Sequence, residues 1–276
     1  MTRETYISFK EYIKNYVDTR KAEIKSKVDN MSTKPKLLII QVGDNFASNK
    51  YVAGKEKDCQ EVGIECKVAK LEETIEEESL LDYIRAFENR YDGIIVQLPL
   101  PKHINVNKVV KTLPISVDVD GFKAESDFIP CTPLGVYNIL MDVCKEDKML
   151  DGKNVVILGR SDIVGKPMAN LLIEKTNATV TVCNSHTKNM DELTSNADII
   201  ISAIGKAKLV SHAKHNSIVI DVGINMDENG KMCGDINWES MPEDLRFITP
   251  VPGGVGLLTR LSLLENVIKA KENSFK

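Results

Sequence analysis

The stretch Asn154-Val-Val-Ile-Leu-Gly-Arg-Ser-Asp-Ile-Val-Gly-Lys-Pro167 decides the fold. It opens with an apolar run short enough for a buried parallel strand, and a turn containing Gly159, Ser161 and Gly165 follows. Pro167 then suits the first position of an amphipathic helix. Glycines let the backbone approach a diphosphate closely, and the free N–H groups of a helix start attract anions. The stretch therefore predicts a strand, a phosphate loop and a helix, with a nucleotide as the ligand.

The end of the next predicted strand bears on the kind of nucleotide. Cys183-Asn-Ser185 lies about 20 residues beyond the loop, where NAD-binding units carry an acid for the ribose 2′-hydroxyl. Because no carboxylate stands there and Arg160 lies in the loop, the pattern favours NADP over NAD. The loop departs from G-x-G-x-x-G, so a glycine turn in an ordinary α/β domain is the alternative at this point.

The composition is that of a soluble globular protein. The chain has 276 residues, enough for two domains, with 42% apolar and 28% charged residues. A net charge of −4 gives no basic stripe for nucleic acid, and no apolar run approaches the roughly 18 residues of a membrane span. The first residues lack a secretory signal, and the six cysteines show neither metal-site nor disulfide spacing. We expect a cytoplasmic protein without a metal site; a catalytic cysteine is an alternative.

Two alternations of strands and helices follow one another along the chain. A surface helix is predicted over 4–29. The first alternation has strands 37–42, 64–71 and 93–97 with helices 48–62 and 75–88, and the second has strands 154–158, 179–183, 198–202 and 217–221. This alternation of strands and helices is typical of parallel α/β sheets.

A connector helix separates the two alternations. Thr132 is its predicted cap, Pro133 its first residue and Val143 its end. A helix over 258–270 returns to the first domain. We therefore predict an α/β protein with a cleft between two domains: a catalytic domain, 1–129 completed by 255–276, and a Rossmann-type nucleotide-binding domain, 130–254.

Polar side chains in the first domain form a candidate reaction site. Tyr51 and Lys55 lie four residues apart, on one face of the predicted helix, and can act together in proton transfer. Gln97 ends a parallel strand, where open α/β sheets place ligand-binding groups, and Asp120 precedes a glycine in a turn. The alternatives are a solvent-facing lysine, a glutamine that caps its own turn, and an aspartate that only forms a turn.

Seven motifs follow the order found in one known family. They are Tyr51-Val-x-x-Lys55 with Gly63-Ile64, Val96-Gln-Leu-Pro-Leu-Pro101, Asp118-Val-Asp-Gly-Phe122, Pro130-Cys-Thr-Pro133, Gly159-Arg-Ser-x-x-Val-Gly165, Asp221-Val-Gly-Ile-Asn225 and Thr249-Pro-Val-Pro-Gly-Gly-Val-Gly256. Through them the chain resembles the bifunctional methylenetetrahydrofolate dehydrogenase/methenyltetrahydrofolate cyclohydrolases.

The resemblance implies two reactions of a folate. NADP+ takes a hydride from 5,10-methylenetetrahydrofolate, and water then opens the methenyl product to 10-formyltetrahydrofolate. It implies Lys55 as the acid/base group of the second step, Tyr51 as its partner and a stacking surface, and Gln97 as the residue that tunes the lysine. It implies that Asp120 binds the donor edge of the pterin.

The resemblance also assigns binding residues and an assembly. The turn at Pro252, Gly253 and Gly254 would lie over the nicotinamide and the folate. The coenzyme residues would be Gly159, Arg160, Ser161 and Gly165 at the phosphates, Ser185 beside Arg160 at the 2′-phosphate, and Ile224 at the nicotinamide end. Homodimers are implied, paired through the nucleotide domain.

The chain departs from the family pattern at four places. Leu257-Leu258 replaces a proline and a methionine, the usual Ile-Asp-Gly opening strand is missing, the segment between Phe122 and Pro130 is shorter, and Asn184 stands where histidine is frequent. Two pathways, purine synthesis and one-carbon catabolism, are alternatives for the use of the product. A monofunctional dehydrogenase and a non-catalytic folate- or nucleotide-binding protein are alternatives, against which the intact set of lysine, tyrosine and glutamine argues.

Overall fold

The computed structural model describes residues 1–123, 125–145 and 150–274, apart from the side chain of Ala47. They form two compact units: unit 1 combines Met1–Val17 with Thr132–Thr259, and unit 2 combines Asp18–Cys131 with Arg260–Lys276. Residues 1–17 therefore lie with the second alternation, whereas the sequence assigned them to the first domain. The predicted domain limits at 129/130 and 254/255 stay predictions.

Unit 2 is built on a small parallel sheet. Its elements in chain order are α1 (Arg3–Asp29, from Asp18 onward), β1 (Lys36–Val42), α2 (Phe46–Val62), β2 (Glu65–Leu71), α3 (Glu77–Phe87), β3 (Gly93–Val96) and α4 (Val106–Thr112). The strand order is β2-β1-β3, with all pairs parallel. Because β1 is central, its residues 37–40 are fully buried, as a near-continuous apolar strand requires.

Unit 1 contains the larger sheet. Its elements are α5 (Cys131–Val143), β4 (Asn154–Leu158), α6 (Gly165–Lys175), β5 (Thr179–Cys183), α7 (Met190–Asn196), β6 (Ile199–Ser202), β7 (Ile218–Asp221), β8 (Asn225–Met226), β9 (Met232–Cys233), β10 (Phe247–Ile248) and the start of α8 (Val255–Asn273). Five strands pair in parallel in the order β10-β7-β6-β4-β5, and β8 and β9 form an antiparallel pair.

The chain changes direction in this sheet between β4 and β6. From β4 it moves outward to β5, and it then crosses back to place β6 on the other side of β4. Open α/β sheets bind ligands beyond the carboxyl ends of the strands at such a point. A ligand site is therefore expected at the loops that follow β4 and β6.

Two predicted helix starts were wrong by the same two residues. Helices α5 and α6 begin at Cys131 and Gly165, so Pro133 and Pro167 occupy the third helical position and not the first. The first four N–H groups of a helix have no intrahelical acceptor, so proline is tolerated at any of these positions. Thr132 is the second residue of α5 and therefore not its cap; its hydroxyl is hydrogen-bonded to that of Thr259 at 3.0 Å.

The remaining helices keep close to prediction. Helix α2 begins two residues early, since the Asn45 side chain accepts the Ser48 N–H at 3.1 Å, and it ends at the predicted Gly63, which is left-handed with φ 83°. Helix α8 extends beyond the predicted 258–270 at both ends.

Among the described residues, no helix has both the length and the apolar character needed to cross a membrane.

Candidate functional site

A buried lysine on α2 contacts the glutamine that follows β3. Lys55 is 8% exposed, and its Nζ donates to Gln97 Oε1 at 3.0 Å. Gln97 is oriented in turn, because its Nε2 donates to Leu98 O at 2.7 Å and its backbone N–H to Ile40 O at 2.8 Å. The predicted lysine–glutamine contact is therefore present, and the solvent-facing alternative for Lys55 was wrong.

Two further polar residues share the face of α2 that carries Lys55. Tyr51 lies one turn before the lysine and is half-buried, and burial raises the pKa of its phenol. Ser48 lies two turns before the lysine and is buried, and its Oγ has no hydrogen-bond partner within the described residues. Sequence reasoning missed Ser48, although its helical spacing to Tyr51 and Lys55 was the available signal.

The loop that carries Asp120 is tied down by buried polar groups. Asn266 on α8 donates from Nδ2 to Val119 O at 2.8 Å and to Ile129 O at 3.0 Å. The carboxylate of Asp118 accepts the N–H groups of residues 122 and 123 at 3.3 and 2.9 Å, and burial raises its pKa to about 6. Asp118 therefore holds the turn and leaves the half-buried Asp120 as the carboxylate available to a ligand.

The Cys131 thiol lies close enough to Asp120 and to Lys55 for both charges to affect its pKa. Burial is the main cause that raises the pKa of this thiol; the charge of Asp120 raises it further, and the charge of Lys55 lowers it. A catalytic role for the thiolate is disfavoured by this raised pKa. Sequence reasoning missed Asn266, which fastens this loop; its position within the apolar run of α8 was the available signal.

A cation from α8 lies against one flank of α2. A Cβ on Gly54 would lie 2.0 Å from Arg260 Nη1, so the guanidinium occupies the space that the glycine leaves. Arg260 Nε is 3.1 Å from Asp58 Oδ2, and Lys21 Nζ donates to Asp58 Oδ1 at 2.5 Å. These ion pairs connect α1, α2 and α8 within unit 2 and hold the helix that carries Tyr51 and Lys55.

In unit 1, the loop after β4 is closed by two glycines. A Cβ on Gly165 would lie 2.2 Å from Gly159 O, and one on Gly159 would lie 2.5 Å from Ala203 O. Gly159 also has φ 110°, which is costly for other residues. Ser161 Oγ accepts the N–H of Val164 at 3.2 Å, so the hydroxyl fixes the turn into α6.

The other predicted coenzyme residues lie beyond the carboxyl ends of neighbouring strands. Arg160 follows β4, Ser185 follows β5 and Ile224 follows β7, and all three are exposed. Asn184 places Ser185 at the tip of a turn, because its Oδ1 accepts the His186 N–H at 2.9 Å. The guanidinium and the hydroxyl are donors that suit a phosphate, and the closed glycine loop suits a diphosphate. The residues present therefore fit a dinucleotide.

Two buried carboxylates, those of Asp221 and Asp235, contact the segments that follow β6 and β7. Asp221 ends β7 and accepts the N–H groups of Gly223, Asp235 and Ile236, each at 3.0 Å. Burial, with a contribution from the Asp235 charge, raises the pKa of Asp221 to about 7. The Asp221 side chain also explains Gly234, whose Cβ would lie 1.8 Å from Asp221 Oδ2.

The predicted turn at Pro252, Gly253 and Gly254 lies within unit 1. Its backbone is held by α1, since Val251 N–H donates to the Tyr6 hydroxyl at 2.9 Å. A Cβ on Gly254 would lie 2.4 Å from Pro250 O, which requires glycine there. Stacking of Tyr6 on Trp238, with ring centroids 4.6 Å apart, keeps this support in place. Sequence reasoning missed the role of α1.

None of the six cysteines, all of which lie in the described residues, forms a disulfide. In the ranges 1–123, 125–145 and 150–274, no group of three His, Cys, Asp or Glu side chains is placed to hold a metal ion. The chemistry that the described side chains support is proton transfer by a buried amine in unit 2 and nucleotide binding in unit 1.

Both parts of the chain match known family models. The model described as "Tetrahydrofolate dehydrogenase/cyclohydrolase, catalytic domain" matches residues 10–120. The model described as "Tetrahydrofolate dehydrogenase/cyclohydrolase, NAD(P)-binding domain" matches residues 130–275. The two matches together cover most of the chain.

Individual relatives match over nearly their whole length. The "Bifunctional protein FolD" of Campylobacter hominis is 44% identical over 272 residues, which cover 93% of this chain and 94% of the relative. The crystal structure of FolD from Campylobacter jejuni is 41% identical, with TM-score 0.85 and 97% of each chain covered. The Trypanosoma brucei enzyme, solved with NADP cofactor and inhibitor, is 29% identical, with TM-score 0.87 over 95% of this chain and 96% of that one.

Proposed function

Since the chain belongs to the tetrahydrofolate dehydrogenase/cyclohydrolase family, we propose that its buried lysine–glutamine pair carries the hydrolytic half of a bifunctional enzyme. The enzyme oxidises 5,10-methylenetetrahydrofolate to the 5,10-methenyl form and hydrolyses that product to 10-formyltetrahydrofolate. The single observation that carries the assignment of residues is the 3.0 Å contact from Lys55 Nζ to Gln97 Oε1 in a buried setting.

Lys55 is the proposed proton acceptor for the water that attacks the methenyl carbon. Attack by water releases a proton, and an amine held by one hydrogen bond keeps a lone pair available when it is neutral. The Gln97 amide aims the amine, because its own Nε2 is held by Leu98 O. Tyr51 offers its ring as a stacking surface one turn away, and Asp120 accepts the N–H groups of the pterin.

The hydride step needs alignment rather than a base, and unit 1 supplies the binding residues. NADP+, when bound, accepts the hydride from the one-carbon bridge. We propose that Gly159, Ser161 and Gly165 hold the diphosphate, and that Ile224 contacts the nicotinamide end through its backbone. Pro252, Gly253 and Gly254 are also proposed as folate-binding residues.

A coupled spectrophotometric assay tests the function. Purified protein is given 5,10-methylenetetrahydrofolate with NADP+ or NAD+, and NADPH or NADH is followed together with the methenyl absorbance. We expect reduction of NADP+ with little accumulation of the methenyl compound. Accumulation of the methenyl compound would instead indicate a monofunctional dehydrogenase, and coenzyme binding without turnover would indicate a binding protein.

Replacing Arg160 with alanine is expected to weaken NADP+ binding selectively. The proposed partner of this exposed guanidinium and of the Ser185 hydroxyl is the 2′-phosphate, which NAD+ lacks. Loss of a charged hydrogen bond worth about 1.5–3 kcal/mol corresponds to a roughly 10- to 100-fold weaker affinity. Titration of the variant with each coenzyme measures the effect.

The matched control is Lys166→Ala, which removes another exposed cation near the loop, one that pairs with Asp162 at 2.6 Å. It should leave the preference between coenzymes unchanged. An equal loss of NADP+ and NAD+ affinity in the Arg160 variant would contradict a 2′-phosphate contact.

We propose that two copies of the chain pair through β5. This strand is an edge of the five-stranded sheet, and its Val182 is 39% exposed. Ile173 on the adjacent α6 is 64% exposed, so the edge is bordered by uncovered apolar surface. Natural edge strands are ordinarily protected by charge, proline or a covering element. A second copy of this edge is the partner that satisfies both the backbone and the apolar surface.

Val182→Lys is expected to convert the dimer to a monomer, because it places a charge on the edge. Sedimentation velocity measures the mass. The control is Ile115→Lys, which alters an exposed apolar residue in unit 2. A wild-type monomer, or dissociation of both variants alike, would refute this interface.

Placement in the cytoplasm is the last part of the proposal. Six cysteines that form no disulfide among the described residues fit a reducing compartment. Cell fractionation tests this placement, and recovery of the activity outside the cytoplasmic fraction would contradict it.

A further inference from the structure

Asp235 is a fully buried carboxylate that accepts hydrogen bonds from five donors, which lie at the end of β6, in the loop after β6 and at the start of β8. Its Oδ2 accepts the Ser202 hydroxyl at 3.0 Å and the Ile204 N–H at 2.7 Å. Its Oδ1 accepts the N–H groups of Gly205 and Lys206 at 3.0 and 2.9 Å. The fifth donor, at 3.0 Å from Oδ1, is Nδ2 of the Asn225 side chain.

The first loop under this carboxylate follows β6. Residues 204, 205 and 206 turn their N–H groups inward to Asp235, and as a result Gly205 and Lys206 are exposed on the outer side. Ala203 begins the loop, and its carbonyl is the atom that a Cβ on Gly159 would meet. The path of this loop therefore sets how much room the diphosphate loop has.

The second loop follows β7 and carries Ile224. Asn225 is joined to Asp235 by its side chain, and Gly223 leaves the room for the carboxylate, since a Cβ there would lie 2.1 Å from Asp235 Oδ1. The two loops follow neighbouring strands, beside the point where the chain changes direction. One buried carboxylate thus fixes two of the loops that border the proposed coenzyme site.

We infer that Asp235 is a positioning residue for NADP+, one that shapes the loops after β6 and β7 before the coenzyme arrives. The inference rests on the proposed coenzyme site in unit 1. Asp235 itself is inaccessible to the ligand, so its effect is exerted through the backbone. Preorganised loops raise affinity because less ordering is required at binding.

The test is Asp235→Asn. In either orientation of the new amide, its NH2 group replaces a carboxylate oxygen that accepted hydrogen bonds from at least two donors. These donors then face another donor. We expect NADP+ affinity to fall by about 10- to 100-fold, on the basis of hydrogen-bond losses of about 1–3 kcal/mol. Calorimetric titration of the coenzyme-free protein gives the affinity directly. The cyclohydrolase rate, which requires no coenzyme, should stay at the wild-type value.

A purely structural role gives a different result. Trp238 is the single tryptophan, and its fluorescence reports whether unit 1 is folded. If Asp235→Asn is folded by this criterion and binds NADP+ like the wild type, the inference is wrong, even when its melting temperature is lowered. If the wild type itself does not bind NADP+, the proposed function fails instead.

Ser202→Ala keeps the inference testable if Asp235→Asn does not fold. Ser202 is fully buried on β6, so it cannot touch the coenzyme, and the change removes one donor to Asp235. A smaller loss of NADP+ affinity is expected. Ser217→Ala is the matched control, because this buried hydroxyl donates to Lys214 O at 2.6 Å and does not contact Asp235. Equal affinities in the two serine variants would overturn the inference.

Discussion

Replacing Lys55 with methionine is expected to lower cyclohydrolase activity by about 100- to 10,000-fold, the range that a general acid/base group contributes. Methionine is close to lysine in length and suits a buried position, so the helix should keep its packing. The amine is lost, and Gln97 Oε1 loses the donor that now lies at 3.0 Å. The measurement is the rate of methenyltetrahydrofolate hydrolysis, followed by loss of its absorbance.

The coenzyme provides the internal control for this variant. Lys55 belongs to unit 2 and the proposed NADP+ residues belong to unit 1, so coenzyme affinity should be unchanged. Lys57→Met is the matched variant on the same helix, since Lys57 has a 75% exposed side chain and only a 3.8 Å contact with Glu61. Loss of NADP+ binding together with hydrolysis in Lys55→Met would mean that the lysine supports the fold rather than the reaction.

Gly165→Ala is expected to reduce dehydrogenase activity by about 100-fold or more, since misplacing a binding group by an ångström can cost that much. The added Cβ would lie 2.2 Å from Gly159 O and 2.8 Å from Arg160 Cα. Both are backbone positions, so the loop has to move. Cyclohydrolase activity should persist, because it needs no coenzyme. Both rates, and NADP+ affinity, are measured on the same preparation.

Two other glycines separate steric contact from backbone strain. Gly152 has φ 66°, and a Cβ added there would meet no atom within 4 Å, so Gly152→Ala adds strain alone. Gly159→Ala combines strain at φ 110° with a 2.5 Å approach to Ala203 O. We expect dehydrogenase losses in Gly165→Ala and Gly159→Ala but not in Gly152→Ala. Wild-type coenzyme affinity in Gly165→Ala would refute the phosphate role of the loop.

The sequence carried enough information for the fold and for the main contact of unit 2. Apolar runs with regular spacing predicted every strand of the two parallel sheets except β10, which has only two residues and is too short to give a pattern. Lys55 and Gln97 could be paired because one lies on a helix face and the other at a strand end, positions that local periodicity defines.

The supporting residues were beyond local reasoning. Asn266 contacts a carbonyl 147 residues away, and Asp235 contacts Ser202 across 33 residues. No spacing rule connects such positions, since each depends on how strands and loops assemble. The predicted starts of α5 and α6 were wrong for a local reason. Proline is compatible with several positions of the first turn, so it does not identify one of them.

The fit of Arg260 into the space beside Gly54 constrains how this sequence can change over evolution. Glycine inside a helix costs about 1 kcal/mol relative to alanine, so replacement of Gly54 would be favoured on an isolated helix. Here the guanidinium occupies the volume that a methyl group would need. The arginine must first shorten or turn away before position 54 can gain a side chain. The two positions should therefore covary, and an alignment in which alanine at 54 regularly accompanies arginine at 260 would show that the order of replacement is free.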